Sequence, residues 1–152
     1  MKNKAFIMCG LPGSFKTTWA IEYVKNNRNA VIISKDSIRQ MISGVYEFDN
    51  DREPLVKRIV NSTIAELIGA GVDIIIDETN ITKAGRVSLV MKLCCFWTPV
   101  IVWCKGNGNN IENRMKESRG YTKEKWKEVI EGMAASFEAP TSDECEVLEV
   151  GG

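Results

Sequence analysis

The stretch AFIMCGLPGSFKTT, Ala5 to Thr18, decides how the chain is read. Ala5 to Cys9 is a short apolar run that stops at glycine, and a helical pattern begins at about Lys16. A glycine-rich loop between a strand and a helix is the context of a Walker A loop. Backbone N–H groups of such a loop surround phosphates, and the helix N-terminus adds its partial positive charge. The expected nucleotide-binding residues are Gly10, Leu11, Pro12, Gly13, Ser14, Phe15, Lys16, Thr17 and Thr18. Lys16 would reach the β- and γ-phosphates and Thr17 would ligate Mg²⁺. One position departs from the pattern, which has glycine just before the lysine where this chain has Phe15. Either the loop re-shapes around that side chain, or nucleotide binding is weakened or lost, because glycine permits backbone conformations that phenylalanine resists.

Outward from this loop, apolar runs and helical stripes alternate. Ala30 to Ser34 reads as a second strand, Val72 to Ile76 as a third, Pro99 to Cys104 as a fourth and Glu146 to Val150 as a fifth. Between them, Leu55, Val56, Ile59, Val60, Ile64, Leu67 and Ile68 follow the 3.6-residue period, and Gly69 and Gly71 stop that helix. Further helices are expected at about 36–42, 83–95 and 109–118, and on the stripe Trp126, Val129, Ile130, Met133, Ala134 and Phe137. Gly44 to Asp51 is polar and reads as a loop. Strands separated by helices predict an α/β fold, with a central, mostly parallel five-stranded sheet covered on both faces as a three-layer sandwich. In such sheets ligands bind beyond the carboxyl ends of the strands. The tryptophans at 19, 97, 103 and 126 read as packing residues rather than base-stacking platforms.

The 152 residues suit a single domain, and 44% apolar content is ample for a core. Twenty basic residues balance twenty acidic ones, so any polynucleotide contact must be local. Histidine is absent, which removes Ser-His-Asp triads, Cys-His pairs and His-ligated zinc. A base would then be a carboxylate and a metal would be held by oxygen. Five cysteines without CxxC spacing read as reduced thiols. No opening signal peptide and no run near the ~20 residues of a membrane span is found, so a soluble, cytoplasmic protein without membrane contact is expected.

Three further motifs stand at the same strand ends. In ISKDSIRQ, Asp36 and Arg39 lie three apart, on one face of a helical turn. Asp36 could take the proton of an incoming hydroxyl while Arg39 holds a phosphate, or Asp36 could merely cap the helix. In IIIDETN, Asp77 occupies the Walker B position, where it would organise Mg²⁺, and Thr79 and Asn80 face the same end of the sheet. In NRMKESRG, Arg119 could neutralise a transferring phosphoryl group from a mobile lid, with Arg114 nearby, or both could lie on a solvated charged helix.

In this order and spacing, GLPGSFKTTWA, KDSIRQ, DETN and RMKESRG resemble the kinase domain of phage polynucleotide kinases, and the wider family of small P-loop kinases that includes zeta toxins. The similarity runs from about Lys4 to Pro140. The resemblance implies a P-loop kinase fold with a helical lid at about 109–125, with ATP and Mg²⁺ as cofactors. It implies Lys16 and Thr17 on the ATP phosphates and Mg²⁺; Asp77 on the metal and Arg114 on the nucleotide are expected from their positions in the motifs above. It further implies Asp36 as general base for a nucleic-acid 5′-hydroxyl, Arg39, Thr79 and Asn80 on the acceptor, and Arg119 on the donor phosphates. The acid-motif phosphatase domain of many phage kinases has no counterpart here, so one kinase domain is expected over residues 1–152. A small-molecule acceptor, and a non-catalytic module whose loop drifted at Phe15, remain as alternatives.

Overall fold

The computed structural model describes residues 1–117 and 119–151. Ser118, at the end of the expected charged helix, and Gly152 lie outside the described residues. Five strands, β1 (Lys4–Cys9), β2 (Ala30–Ile33), β3 (Asp73–Ile76), β4 (Thr98–Gly106) and β5 (Glu146–Gly151), form one sheet in the order β2-β3-β1-β4-β5. Every pairing is parallel, with Ile7 opposite both Ile76 and Ile101. Six helices join the strands among the described residues: α1 (Lys16–Asn26), α2 (Lys35–Ser43), α3 (Glu53–Leu67), α4 (Lys83–Leu93), α5 (Asn110–Met115) and α6 (Lys123–Ala135).

The period-two alternation of the strands divides the core. Ile7, Ile74, Ile76 and Ile101 face α3 and α4, where Val60, Ile64, Val90, Leu93 and Trp97 pack on them. Phe6, Met8, Ile75, Val100 and Val102 face α1. There Trp19 meets the Phe6 ring edge-on at 5.4 Å and stacks on Tyr23 at 5.3 Å, as its position in the helix predicts. A sheet covered on both faces needs apolar residues at consecutive positions, which is why β1 and β3 read as unbroken runs. Cys9 and Cys104 are buried in this core, where desolvation pushes both thiols up to about 11, and every cysteine is free. Among the described residues, no helix is long and apolar enough to cross a membrane.

The expected helix over 109–118 is the six-residue α5 among the described residues, with Lys116 and Glu117 in a turn beyond it. α2 is capped by Ser34, whose hydroxyl accepts from the Ser37 N–H at 3.3 Å. Asp36 is thereby free of the capping role that a sequence reading could assign to it. One polar pair is fully enclosed: Arg86 of α4 donates to Glu144 at 2.7 and 3.2 Å, and to the carbonyl of Asn80 at 2.9 Å. This ties α4, the β3 exit and the approach to β5 together. β1 sits between β3 and β4, so the order of connections reverses beside it, and the carboxyl ends of β1 and β3 frame the crevice.

Candidate functional site

The phosphate loop retains its left-handed step despite the missing glycine. Phe15, at the N-cap of α1, has φ 68° and ψ 28°. That region costs a side-chain-bearing residue roughly 1–2 kcal/mol. Phe15 is 43% exposed. The left-handed backbone at Phe15 puts strain on a residue that bears a side chain. Gly13 is required on two counts: its φ is 78°, and a Cβ there would stand 2.3 Å from the carbonyl oxygen of Asn110. That close approach belongs to a clamp. The amides of Asn110 and Asn113 donate to the carbonyls of Pro12 (2.8 Å) and Gly13 (2.9 Å), seating α5 on the loop.

Lys16 is 6% exposed and its ammonium donates to the carbonyl of Leu11 at 2.8 Å. Burial, aided by the nearby Arg114, pulls its pKa down to about 8. A lysine held out of water with one carbonyl partner is poised to accept an anion. Ser14 Oγ and Arg114 Nε are buried and lack hydrogen-bond partners among the described residues. Unsatisfied polar atoms beside a phosphate loop are what a polyphosphate ligand would complete. The Thr17 hydroxyl donates to Asp77 Oδ2 at 2.8 Å, and burial raises the Asp77 pKa despite that bond and the Lys16 charge. A hydroxyl and a carboxylate in contact fit two ligands of a magnesium ion. Among the described residues no cluster of three acidic, cysteine or histidine side chains could hold a metal unaided. The remaining ligands would come from phosphate and water.

Beside the loop lies a cavity of about 460 Å³, whose polar walls include Asp36, Arg39, Asp77, Thr79, Arg114 and Arg119. Across it runs an alternating chain of charges. Glu53 grips Arg39 at 2.6 and 3.1 Å, and Arg39 donates to Asp36 Oδ1 at 2.8 Å. Arg119 donates to Asp36 Oδ2 at 2.7 Å and pairs with Glu117 at 2.8 Å, and Glu117 accepts from Arg114 at 2.6 Å. Three cations thus alternate with three carboxylates. The chain is neutral as a whole. The Glu53 grip, largely through hydrogen bonds, raises the Arg39 pKa further above its ordinary value.

The structure thus brings Asp36, Arg39, Thr79, Arg114 and Arg119 into one cavity, with Thr17 bonded to Asp77 at its edge. It does not bring in Asn80. That residue sits at φ 42°, and its amide donates to the Met8 carbonyl at 2.7 Å, bracing the β1 exit. Of the sites read from sequence, Asn80 serves the fold rather than the cavity wall. Trp126 is buried as expected but also closes one cavity wall, 5.1 Å beneath the Arg114 guanidinium. Sequence reasoning missed Glu53, Glu117, and the rings of Tyr46 and Phe48, which come from the polar loop between α2 and α3. Two aromatics in an otherwise polar loop were the available signal.

This arrangement, a parallel sheet with a phosphate loop at the β1 exit and Asp77 at the β3 exit, defines a P-loop kinase fold. A family profile described as an AAA domain matches residues 6–140, and the chain belongs to that family. Among solved structures it is similar to a chain of the Pnkp1/Rnl/Hen1 RNA repair complex, with a TM-score of 0.73 and 18% identity over 89% of this chain and 45% of that one. It is also similar to a sugar kinase from Janibacter sp., with a TM-score of 0.64 and 21% identity over 99% and 85% of the two chains. The Mycobacterium tuberculosis APS kinase CysC, in complex with AMPPNP and APS, aligns with a TM-score of 0.62 and 16% identity over 97% and 88%. The chain spans less than half the length of the RNA-repair chains it matches. No curated protein sequence gives a significant match.

Proposed function

We propose that this chain is an ATP-dependent phosphotransferase that moves the γ-phosphoryl group of ATP to the 5′-hydroxyl of a nucleic acid. The observation that carries this reading is Asp36, freed from capping and held between Arg39 and Arg119 in the cavity beside the phosphate loop. Arg39, anchored by Glu53, is placed to receive the phosphate that follows the terminal nucleoside. Its fork geometry suits a phosphate bidentately. That contact directs the terminal hydroxyl toward Asp36.

Arg119 has a second role to play once the donor is bound. Phosphate oxygens compete with Asp36 for its guanidinium, and transfer of Arg119 to the donor leaves an Asp36 oxygen open. Asp36 then takes the hydroxyl proton. The alcohol oxygen bonds to the γ-phosphorus, the bond to the β–γ bridging oxygen breaks, and ADP leaves with that electron pair. Lys16 and Arg119 neutralise charge on the transferring group, where such groups contribute most. Thr17 and Asp77 would hold Mg²⁺, which would supply positive charge beside the donor phosphates. The net charge of zero accords with a ligand recognised through one or two phosphates at its end.

The sugar-kinase and APS-kinase likenesses span most of those chains, which favours a small-molecule alcohol as the second reading. Transfer of label from γ-labelled ATP separates the two, with a 5′-hydroxyl oligonucleotide and small alcohols offered together. Oligonucleotide labelling should dominate, and Asp36→Asn should cut it on the order of 10²–10⁴-fold while ATP still binds. Labelling confined to small alcohols would overturn the acceptor. Equal loss of turnover and ATP binding would overturn the base.

A further inference from the structure

Resting on the polynucleotide reading, we propose that Phe48 is the platform on which a nucleobase of the acceptor stacks, beside the phosphate held by Arg39. The loop between α2 and α3 is polar, yet both of its aromatic rings, Tyr46 and Phe48, line the cavity. They are not equivalent. The Tyr46 ring lies 4.4 Å under the Arg119 guanidinium and is half-buried, so it supports the lid arginine. Phe48 is 59% exposed, with the Arg39 guanidinium 5.6 Å over its ring. A scattered exposed phenylalanine needs no explanation. This one borders Arg39 in the cavity that also holds Asp36.

The chemistry selects the occupant. A guanidinium bound to Glu53 and Asp36 cannot swing away from Phe48, so the phosphate and the ring are fixed as neighbours. A group lying one sugar away from that phosphate, and flat enough to cover a phenyl face, is a nucleobase. Phe48 has neither donor nor acceptor, so what it offers a ligand is contact with a flat face. Val129 and Met133 of α6, across the same cavity, add apolar surface suited to a base and not to a polyol. Stacking tolerates any base, since every base has a π face, and such contacts contribute enough to move acceptor affinity by about tenfold. The platform therefore makes the site selective for nucleotide ends without making it selective for sequence.

The test pairs a change in the protein with a change in the acceptor. Two 5′-hydroxyl oligonucleotides are compared, one with all its bases and one abasic at its first two positions. Wild type and Phe48→Leu, which keeps apolar bulk without the ring, are measured on both, with Phe48→Trp as the conservative variant. The wild type should favour the base-bearing end about tenfold in KM, Phe48→Leu should abolish the preference, and Phe48→Trp should retain it. Transfer by the wild type without that preference, or a preference that Phe48→Leu keeps, overturns the platform and leaves the polynucleotide reading standing. Transfer to neither end overturns the polynucleotide reading. The platform is then judged by equilibrium binding of the same two oligonucleotides, labelled at their 3′ ends. Equal affinities overturn it, and tighter binding of the base-bearing end that Phe48→Leu removes supports it.

Discussion

Replacing Phe15 tests whether its left-handed backbone is real strain, and the decisive comparison is between glycine and alanine at that position. Phe15→Ala and Phe15→Gly both remove the half-exposed ring, so its packing is given up equally in the two variants. They differ in the backbone. At φ 68° alanine keeps a steric cost of about 1–2 kcal/mol that glycine lacks. Glycine gives back about 0.4–1 kcal/mol through its freer unfolded chain. The balance leaves the glycine variant more stable by about 1 kcal/mol, which corresponds to roughly 2–4 °C in Tm for a chain of this length. At an ordinary helical position the order is reversed, with alanine ahead by about 1 kcal/mol. Urea and thermal unfolding of the nucleotide-free variants would measure this difference. An alanine variant as stable as the glycine variant would refute the left-handed assignment. The same pair bears on nucleotide binding. Because Phe15 is 43% exposed, both variants should bind ATP within about tenfold of the parent, or about 1.4 kcal/mol. A much larger gain in both would place the ring in the phosphate position.

The buried charges carry three further expectations. Burial lowers Lys16 from 10.5 to about 8, so between those values the folded chain binds fewer protons than the unfolded one, and stability without nucleotide should rise with pH across that window. Phosphate at the ammonium restores the proton, so ATP binding at pH 8 should take up about half a proton, measurable by calorimetry in buffers of different ionisation enthalpy. No uptake would mean that Lys16 is already fully charged. Glu144→Gln should destabilise the fold by about 3–5 kcal/mol, since it leaves the enclosed Arg86 charge unmatched. The pair's hydrogen bonds outweigh burial and lower the Glu144 pKa, so in the parent its contribution is present above the ordinary glutamate range and is lost as acid protonates the folded form. A loss under about 1 kcal/mol in a melt of the variant would show that the Asn80 carbonyl and its surroundings satisfy Arg86 without the Glu144 charge.

The order of strands and helices was legible in the sequence because each depends on local period. Five apolar runs, the glycine-rich turn before Lys16 and the terminal glycines after α3 are short-range signals. So are the residues that stand at strand ends, Asp36, Arg39 and Asp77, because a parallel sheet places every such end on one side. The sequence alone also excluded histidine chemistry. What only the tertiary structure decided is which of these polar residues meet. Arg39 is claimed by Glu53 from fourteen residues away, Asp36 by Arg119 from eighty-three, and Arg86 by Glu144 from fifty-eight. No periodicity encodes such separations, since the pairing is set by the packing of α3 and the α5–α6 segment around the sheet. The same holds for Asn80, whose amide serves the β1 exit rather than the cavity, and for Phe48, whose place in a polar loop says nothing of the arginine beside it. At Phe15 the sequence posed a choice between a re-shaped loop and a disabled one. The fold shows that the loop takes a left-handed backbone at Phe15, while α5 is clamped by Asn110 and Asn113 onto Pro12 and Gly13, a packing no local pattern announces.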